Sequence, residues 1–295
     1  MNYENLIVRG MQWVKELPHH EGQITEKGYP VIMSNDLVKE AQVWVCPALM
    51  VADERVSKAI EMGMMGKAVP HVHDGDEMYL IVGEEGSTTV AVTLGEDYYE
   101  LTTPAAVYIP AGLPHSITPL RATSGKFGGA CPVFFGTSYE TYPVPENPLK
   151  IESTEQLIVK DMQWVKDLPH HEGQIGEKGY PVIMSNEFVD AAKVWVCPAL
   201  MKVDEKVSKA IELGMMGKAV PHTHDKDEMY LLVGEDDAAT FEITLGDEVY
   251  DVNVPSAVYI PAGLPHAIQV KNAVPGKFGG AIPVFLGTEY ITKPI

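Results

Sequence analysis

The chain repeats itself. MQWVKELPHHEGQITEKGYPVIMSN from Met11 returns as MQWVKDLPHHEGQIGEKGYPVIMSN from Met162, an offset of 151 residues that holds without a gap almost to the end of each copy. About two-thirds of the aligned positions are identical, and two copies that similar share one fold. The period is too long for a solenoid and suits two complete domains within 295 residues. Proline and polar residues gather in TYPVPENPLKIESTEQ, residues 141–156, which reads as a linker. The expected layout is a first domain over 1–143, a linker over 144–155 and a second domain over 156–295.

The duplication also compares the chain with itself. LPHHEGQ, EKGYPVIMSN, VWVCPALM, GMMGKAVPH, DEMYL, AVYIPAGLPH and GKFGG are unchanged between copies, while residues 85–103 and 116–124 differ from their partners. Most of the sequence reads as strand. Runs such as Trp44-Val45-Cys46 and residues 89–93 are rich in β-branched or aromatic side chains, and glycine or proline interrupts the chain roughly every ten residues, as in a sandwich or barrel. Helix is expected only as about one turn at 37–41 and at 188–192. The fold class that follows is all-β, as two tandem barrels.

Charge and cysteine usage narrow the partners. The formal charge is −19, from 22 Lys+Arg against 41 Asp+Glu, so nucleic acid and anionic membrane are poor partners. Apolar runs are far shorter than the ~20 residues of a membrane-spanning helix. No basic and apolar leader opens the sequence. Cys46, Cys131 and Cys197 lie in apolar runs and read as buried thiols, which fits a reducing cytoplasm.

All 10 histidines belong to the repeat, each matched at the same offset. In GKAVPHVHDGDEMYL, His71 and His73 are two apart on a strand, so both imidazoles face one side. Asp74-Gly75-Asp76 is a turn. Glu77 then opens the returning strand and can face the same centre. AVYIPAGLPH delivers His115 after a Pro-Gly-Pro turn. The second copy places His222, His224, Glu228 and His266 at the same spacings. Three imidazoles and a carboxylate suit Mn, Fe, Co, Ni, Cu or Zn, one divalent transition metal per barrel. On a six-coordinate ion such a set leaves about two positions open. A surface histidine pair is the alternative, weakened by the complete set in both copies.

GKAVPHVHDGDEMYLIVG and PAGLPH resemble the two sequence motifs of the cupin superfamily, and the two copies together resemble a bicupin over nearly the whole chain. The resemblance implies two jelly-roll barrels, each with a metal at its centre held by the four residues just named. The spacers at Gly66 and Gly83 are one residue shorter than the family pattern. Pro104 and Pro119 stand where the second motif has glycine and asparagine. These departures fall in loops and leave the ligand set intact.

Further candidates flank the ligands. Tyr79 and Tyr230 follow the glutamates by two residues, so alternation turns them inward, as proton-transfer groups or as packed core tyrosines. Tyr108 and Tyr259 carry the same two readings. His19-His20-Glu21 and His170-His171-Glu172 make His20 and His171 candidates for proton transfer over the pocket; a polar loop, an inter-barrel contact or a further metal site accounts for the same residues. The only arginines are Arg9, Arg55 and Arg121, matched by Lys160, Lys206 and Asn272, so if both sites do the same chemistry, neither uses its own repeat's arginine as a bidentate carboxylate clamp, which counts against a dicarboxylate such as oxalate. Lys67, Lys218, Lys126 and Lys277 are point-charge candidates or solvated lysines. Met62, Met64 and Met65 are read as core filling before an apolar pocket lining.

These features point to a metal-dependent enzyme acting on a small oxygen-rich molecule that chelates through two oxygens. A dioxygenase leads. An oxygen-independent isomerase or decarboxylase and a non-catalytic metal-binding or ligand-binding bicupin are the alternatives. The expected assembly is a homodimer, because barrels leave sheet edges and apolar faces to cover.

Overall fold

The computed structural model describes residues 2–15, 28–64, 68–166, 179–215 and 220–295. The chain forms two compact units. One is Met11–Asp161; the other joins Met1–Gly10 to Met162–Ile295.

In Met11–Asp161, one sheet runs in the order Ile158–Lys160, Ala105–Ile109, Glu77–Gly83, Phe127–Phe135, Val43–Val45, with Ala48–Val51 also paired to Phe127–Phe135. The second runs Tyr142–Pro143, His71–Val72, His115–Ala122, Thr88–Leu94, Asp97–Thr102. Every pairing is antiparallel. A hairpin of Gln12–Val14 on Tyr29–Val31 adds to them. The centre of the first sheet is buried on both faces: six of the seven residues in Glu77–Gly83 are buried. This is why EMYLIVG carries no polar alternation after its glutamate. The other unit repeats the plan. Ile7–Arg9, Ser256–Ile260, Glu228–Gly234, Phe278–Phe285 and Trp195–Val196 form one sheet, and Glu248–Asn253, Ala239–Leu245, His266–Ala273, His222–His224 and Thr292–Pro294 the other. Both units are jelly-roll barrels of the expected all-β class.

The edge strands show where compact units and sequence copies part. Ile158–Lys160 pairs with Ala105, Ala106 and Val107 of the first unit, and Ile7–Arg9 pairs with Val258, Ala257 and Ser256 of the second. Each strand therefore completes the barrel built mostly from the other copy. The duplication makes this workable, because IVR and IVK meet nearly identical partners, SAVYI and AAVYI.

Two helices correct the reading of helix content. Residues 37–41 and 188–192 form turns. Helix forms instead at Glu54–Glu61 and Glu205–Glu212. Asp53 and Asp204 cap them, each carboxylate accepting from the backbone N–H three residues on at 2.7 Å. Only one narrow stripe, Ser57 and Ile60 with Ser208 and Ile211, is buried, so apolar periodicity is weak and the cap is the stronger signal. No helix is long and apolar enough to cross a membrane, among the described residues. Cys46, Cys131 and Cys197 are free and buried, as expected.

Candidate metal centre

The two sheets of each barrel supply one ligand set. His71 opens a two-residue strand that registers directly against His115. The Asp74-Gly75-Asp76 turn crosses to the other sheet, where Glu77 pairs with Ile109 on one side and Phe134 on the other. Ligand atoms of His71, His73, Glu77 and His115 all lie within 4.8 Å of one another, and those of His222, His224, Glu228 and His266 do the same. All eight residues are buried. The imidazoles of the first set have ring centroids 4.6–5.0 Å apart.

Backbone carbonyls aim each imidazole. The Nδ1 of His71, His73 and His115 lies 3.0, 2.7 and 2.7 Å from the carbonyl oxygens of Val69, Glu140 and Leu113. A carbonyl only accepts, so Nδ1 carries the proton and Nε2 presents its lone pair to the centre. The second set repeats this on Val220, Ile291 and Leu264 at 3.0, 2.9 and 2.8 Å.

What faces the centre is unsatisfied. His73 Nε2, His115 Nε2 and Glu77 Oε2 are buried without a hydrogen-bond partner, as are His224 Nε2, His266 Nε2 and Glu228 Oε2. Native interiors rarely leave such atoms orphaned, let alone several converging on one point. A divalent transition ion fits them: neutral imidazoles and one carboxylate suit its donor preference, and the carbonyl-bound Nδ1 atoms fix the donor tautomer. Burial alone would raise the Glu77 carboxyl, but His115 and His73 beside it outweigh burial and hold it well below the usual carboxylate range. Glu228 is lowered in the same way. Burial, with His115 next, pushes His71 down to about 4, and burial with His266 does the same to His222.

The flanking candidates separate. Tyr79 and Tyr230 are buried, their rings 5.9 and 6.0 Å from the His115 and His266 rings. Burial first, then the adjacent glutamate charge, raises both phenols well above their ordinary value. Tyr108 and Tyr259 donate instead to Asp76 and Asp227, at 2.7 and 2.5 Å. Lys126 and Lys277 are half-buried and donate to the carbonyls of Glu85 and Asp236, at 2.8 and 2.6 Å. Met62 and Met64 are 71% and 68% exposed, which corrects their reading as core filling; they follow the helix and lie outside both sheets. His19, His20, Glu21, His170, His171, Glu172, Met65, Lys67 and Lys218 lie outside the described residues.

One pair was missed. Tyr139 and Tyr290 donate to Glu77 Oε1 and Glu228 Oε1, at 2.9 and 3.3 Å. The only signal in the sequence was their retention between changed neighbours, SYE against EYI.

Scans against protein-family models and against curated proteins return no match. Solved structures do match in fold. AerE from Microcystis aeruginosa aligns at a TM-score of 0.54 and 10% identity, covering 95% of this chain and 99% of its own. The Bacillus subtilis oxalate decarboxylase OxdC, a protein with Mn(II) centres, aligns at 0.54 and 12%, covering 97% of this chain and 81% of its own. Fold and paired ligand sets together give this chain the architecture of a bicupin, two cupin barrels each with one buried metal-binding group.

Proposed function

We propose that this chain is a metal-dependent enzyme acting on a small, oxygen-rich substrate that chelates through two oxygens, and that its reaction is oxygen-independent, of the decarboxylase or isomerase kind. The observation that carries the reading is the complete His-His-Glu-His set in both barrels. Four donors leave about two positions on a six-coordinate ion, whereas they would saturate a tetrahedral structural zinc. A domain of ordinary size needs no structural metal to bury its core. A divalent ion held there supplies Lewis acidity and a fixed point for two substrate oxygens. The preference for oxygen-independent chemistry over a dioxygenase draws on OxdC, a decarboxylase that shares the two-barrel fold.

The chain's own residues supply the remainder. The carbonyl-bound imidazoles hold the donors in place. Proton transfer at the substrate is assigned to His20 and His171, with Tyr79 and Tyr230 as phenols beside the glutamates. The substrate class is kept apart from oxalate itself. Arg9 is held by Glu4 and the Asp251 carbonyl, Arg121 by Thr89, and the second copy has no arginine. We place the enzyme in the cytoplasm, on the three buried thiols. We also propose a homodimer, supported by exposed apolar side chains such as Met62, Met64, Val69, Leu213, Met215 and Val220.

The test is a panel of hydroxy acids, keto acids, ketoses, enediols and catechols, assayed with and without oxygen for each of Mn, Fe, Co, Ni, Cu and Zn. Turnover without oxygen, lost in the Glu77→Gln/Glu228→Gln protein, is the expected result. Strictly oxygen-dependent consumption would move the assignment to a dioxygenase. Binding without turnover under every metal would make the chain a non-catalytic ligand-binding bicupin.

A further inference from the structure

The segment after the last long strand of each barrel reaches its site three times. Tyr139 donates to Glu77 Oε1 at 2.9 Å. Its ring stacks on the His73 imidazole, with centroids 5.1 Å apart and planes at 28°. The next residue's carbonyl, Glu140 O, accepts from His73 Nδ1 at 2.7 Å, and Tyr142–Pro143 pairs with His71–Val72. In the second barrel, Tyr290 donates to Glu228 Oε1 at 3.3 Å, Ile291 O accepts from His224 Nδ1 at 2.9 Å, and Thr292–Pro294 pairs with His222–His224. Glutamate at 140 is matched by isoleucine at 291, and the carbonyl reaches the imidazole in both. The tyrosine does not change.

These contacts divide the glutamate's two oxygens. Oε1 accepts the phenol. Oε2 faces the imidazoles, 3.0 Å from His115 Nε2 and 3.4 Å from His73 Nε2, and 2.9 and 3.4 Å from His266 and His224 in the second barrel. A metal-binding carboxylate can offer one oxygen or both. Using both takes a fifth position on a six-coordinate ion and leaves room for only one substrate oxygen. A hydrogen bond from a buried phenol to an ionised carboxylate is among the stronger ones.

We propose that Tyr139 and Tyr290 are positioning residues that hold the ligand glutamates as one-oxygen donors, and so keep the second substrate position open. The proposal rests on the metal-dependent reading above. It differs from a packing role, because the tyrosine ring already packs in a buried cluster, with Tyr29, Val31, Cys46 and Phe134 in the first barrel. Phenylalanine preserves that packing and removes only the hydroxyl.

The experiment loads the full chain with Mn(II) and reads three quantities: metal stoichiometry, water-proton relaxation and the Mn(II) EPR fine structure. Wild type and Tyr139→Phe/Tyr290→Phe should both bind about two ions per chain, one per ligand set. The double variant should show a changed EPR fine structure. Its inner-sphere relaxation should fall to about half, as exchangeable waters drop from about two to about one per ion. Tyr98→Phe, an exposed tyrosine bonded to Glu100, should match wild type. Unchanged relaxation and spectrum at full occupancy overturn the proposal, as does loss of metal from a folded double variant. If the double variant does not fold, each single variant carries the same comparison at half amplitude against its intact second site. Wild-type protein that binds neither Mn(II) nor any of Fe, Co, Ni, Cu and Zn refutes the metal-dependent reading itself, which separates that failure from failure of the tyrosine proposal.

Discussion

Asp76 stands one residue before the first ligand glutamate. Its carboxylate accepts from the Tyr108 hydroxyl at 2.7 Å and from the Ala111 backbone N–H at 2.9 Å. The Pro-Ala-Gly turn that delivers His115 is therefore pinned to the turn that delivers Glu77. Outer hydrogen bonds of this kind typically govern ~10–100-fold in metal affinity. Asp76→Ala should weaken the first site by that order and leave the second unchanged, as read by chelator competition on the two sites. Equal weakening of both sites, or of neither, would contradict the assignment. At this scale the sequence was read well for the ligands and poorly for their supports. Strand alternation and the invariance of ten histidines pointed to His71, His73, Glu77 and His115. Tyr139 comes from 62 residues beyond Glu77, and no local period relates the two. Tyr108 was open between two roles, because alternation gives a face and not a partner.

Elements were legible in proportion to their hydrophobic pattern. The strands that open with Glu77 and carry residues 89–93 stood out as β-branched runs between turn residues. The helices at Glu54–Glu61 and Glu205–Glu212 did not, because only a thin stripe of each is buried and the rest is solvated. Their caps decide where they begin. Asp53→Ala removes an acceptor from the Val56 N–H and should lower unfolding free energy by roughly 1 kcal/mol. Denaturant titration of the whole chain would show this as a lower midpoint of the first transition; no shift would mean that helix packing alone fixes the start. The exchanged edge strands were beyond sequence reading for a different reason. Ile7–Arg9 and Ile158–Lys160 are near-copies with near-copied partners, so nothing in either strand distinguishes its own barrel from the other. GKFGG, by contrast, has a plain structural cause. Gly83 has φ +146°, and a Cβ there would lie 2.4 Å from the Gly128 Cα. The chain is invariant at that crossing because two backbones meet with no room for a side chain.

For the molecule as a whole, the duplication predicts two equivalent sites, and the surface predicts association. Sedimentation at micromolar concentration should show a species of twice the 32.3 kDa chain; a single 32.3 kDa species throughout would exclude the homodimer. Removing metal should lower the melting temperature by several degrees, since an ion bound to the folded state at ~100 times its Kd contributes about 2.7 kcal/mol. Differential scanning fluorimetry before and after chelation checks this, with restoration on adding metal back. The central claim is that each barrel holds one ion on its own four ligands. Elemental analysis of protein purified without added metal tests it most directly, across wild type, His73→Ala, His224→Ala and the double variant. The account predicts about two, one, one and no ions per chain. Metal content unchanged in a folded double variant, or absent from wild type grown in replete medium, would contradict it.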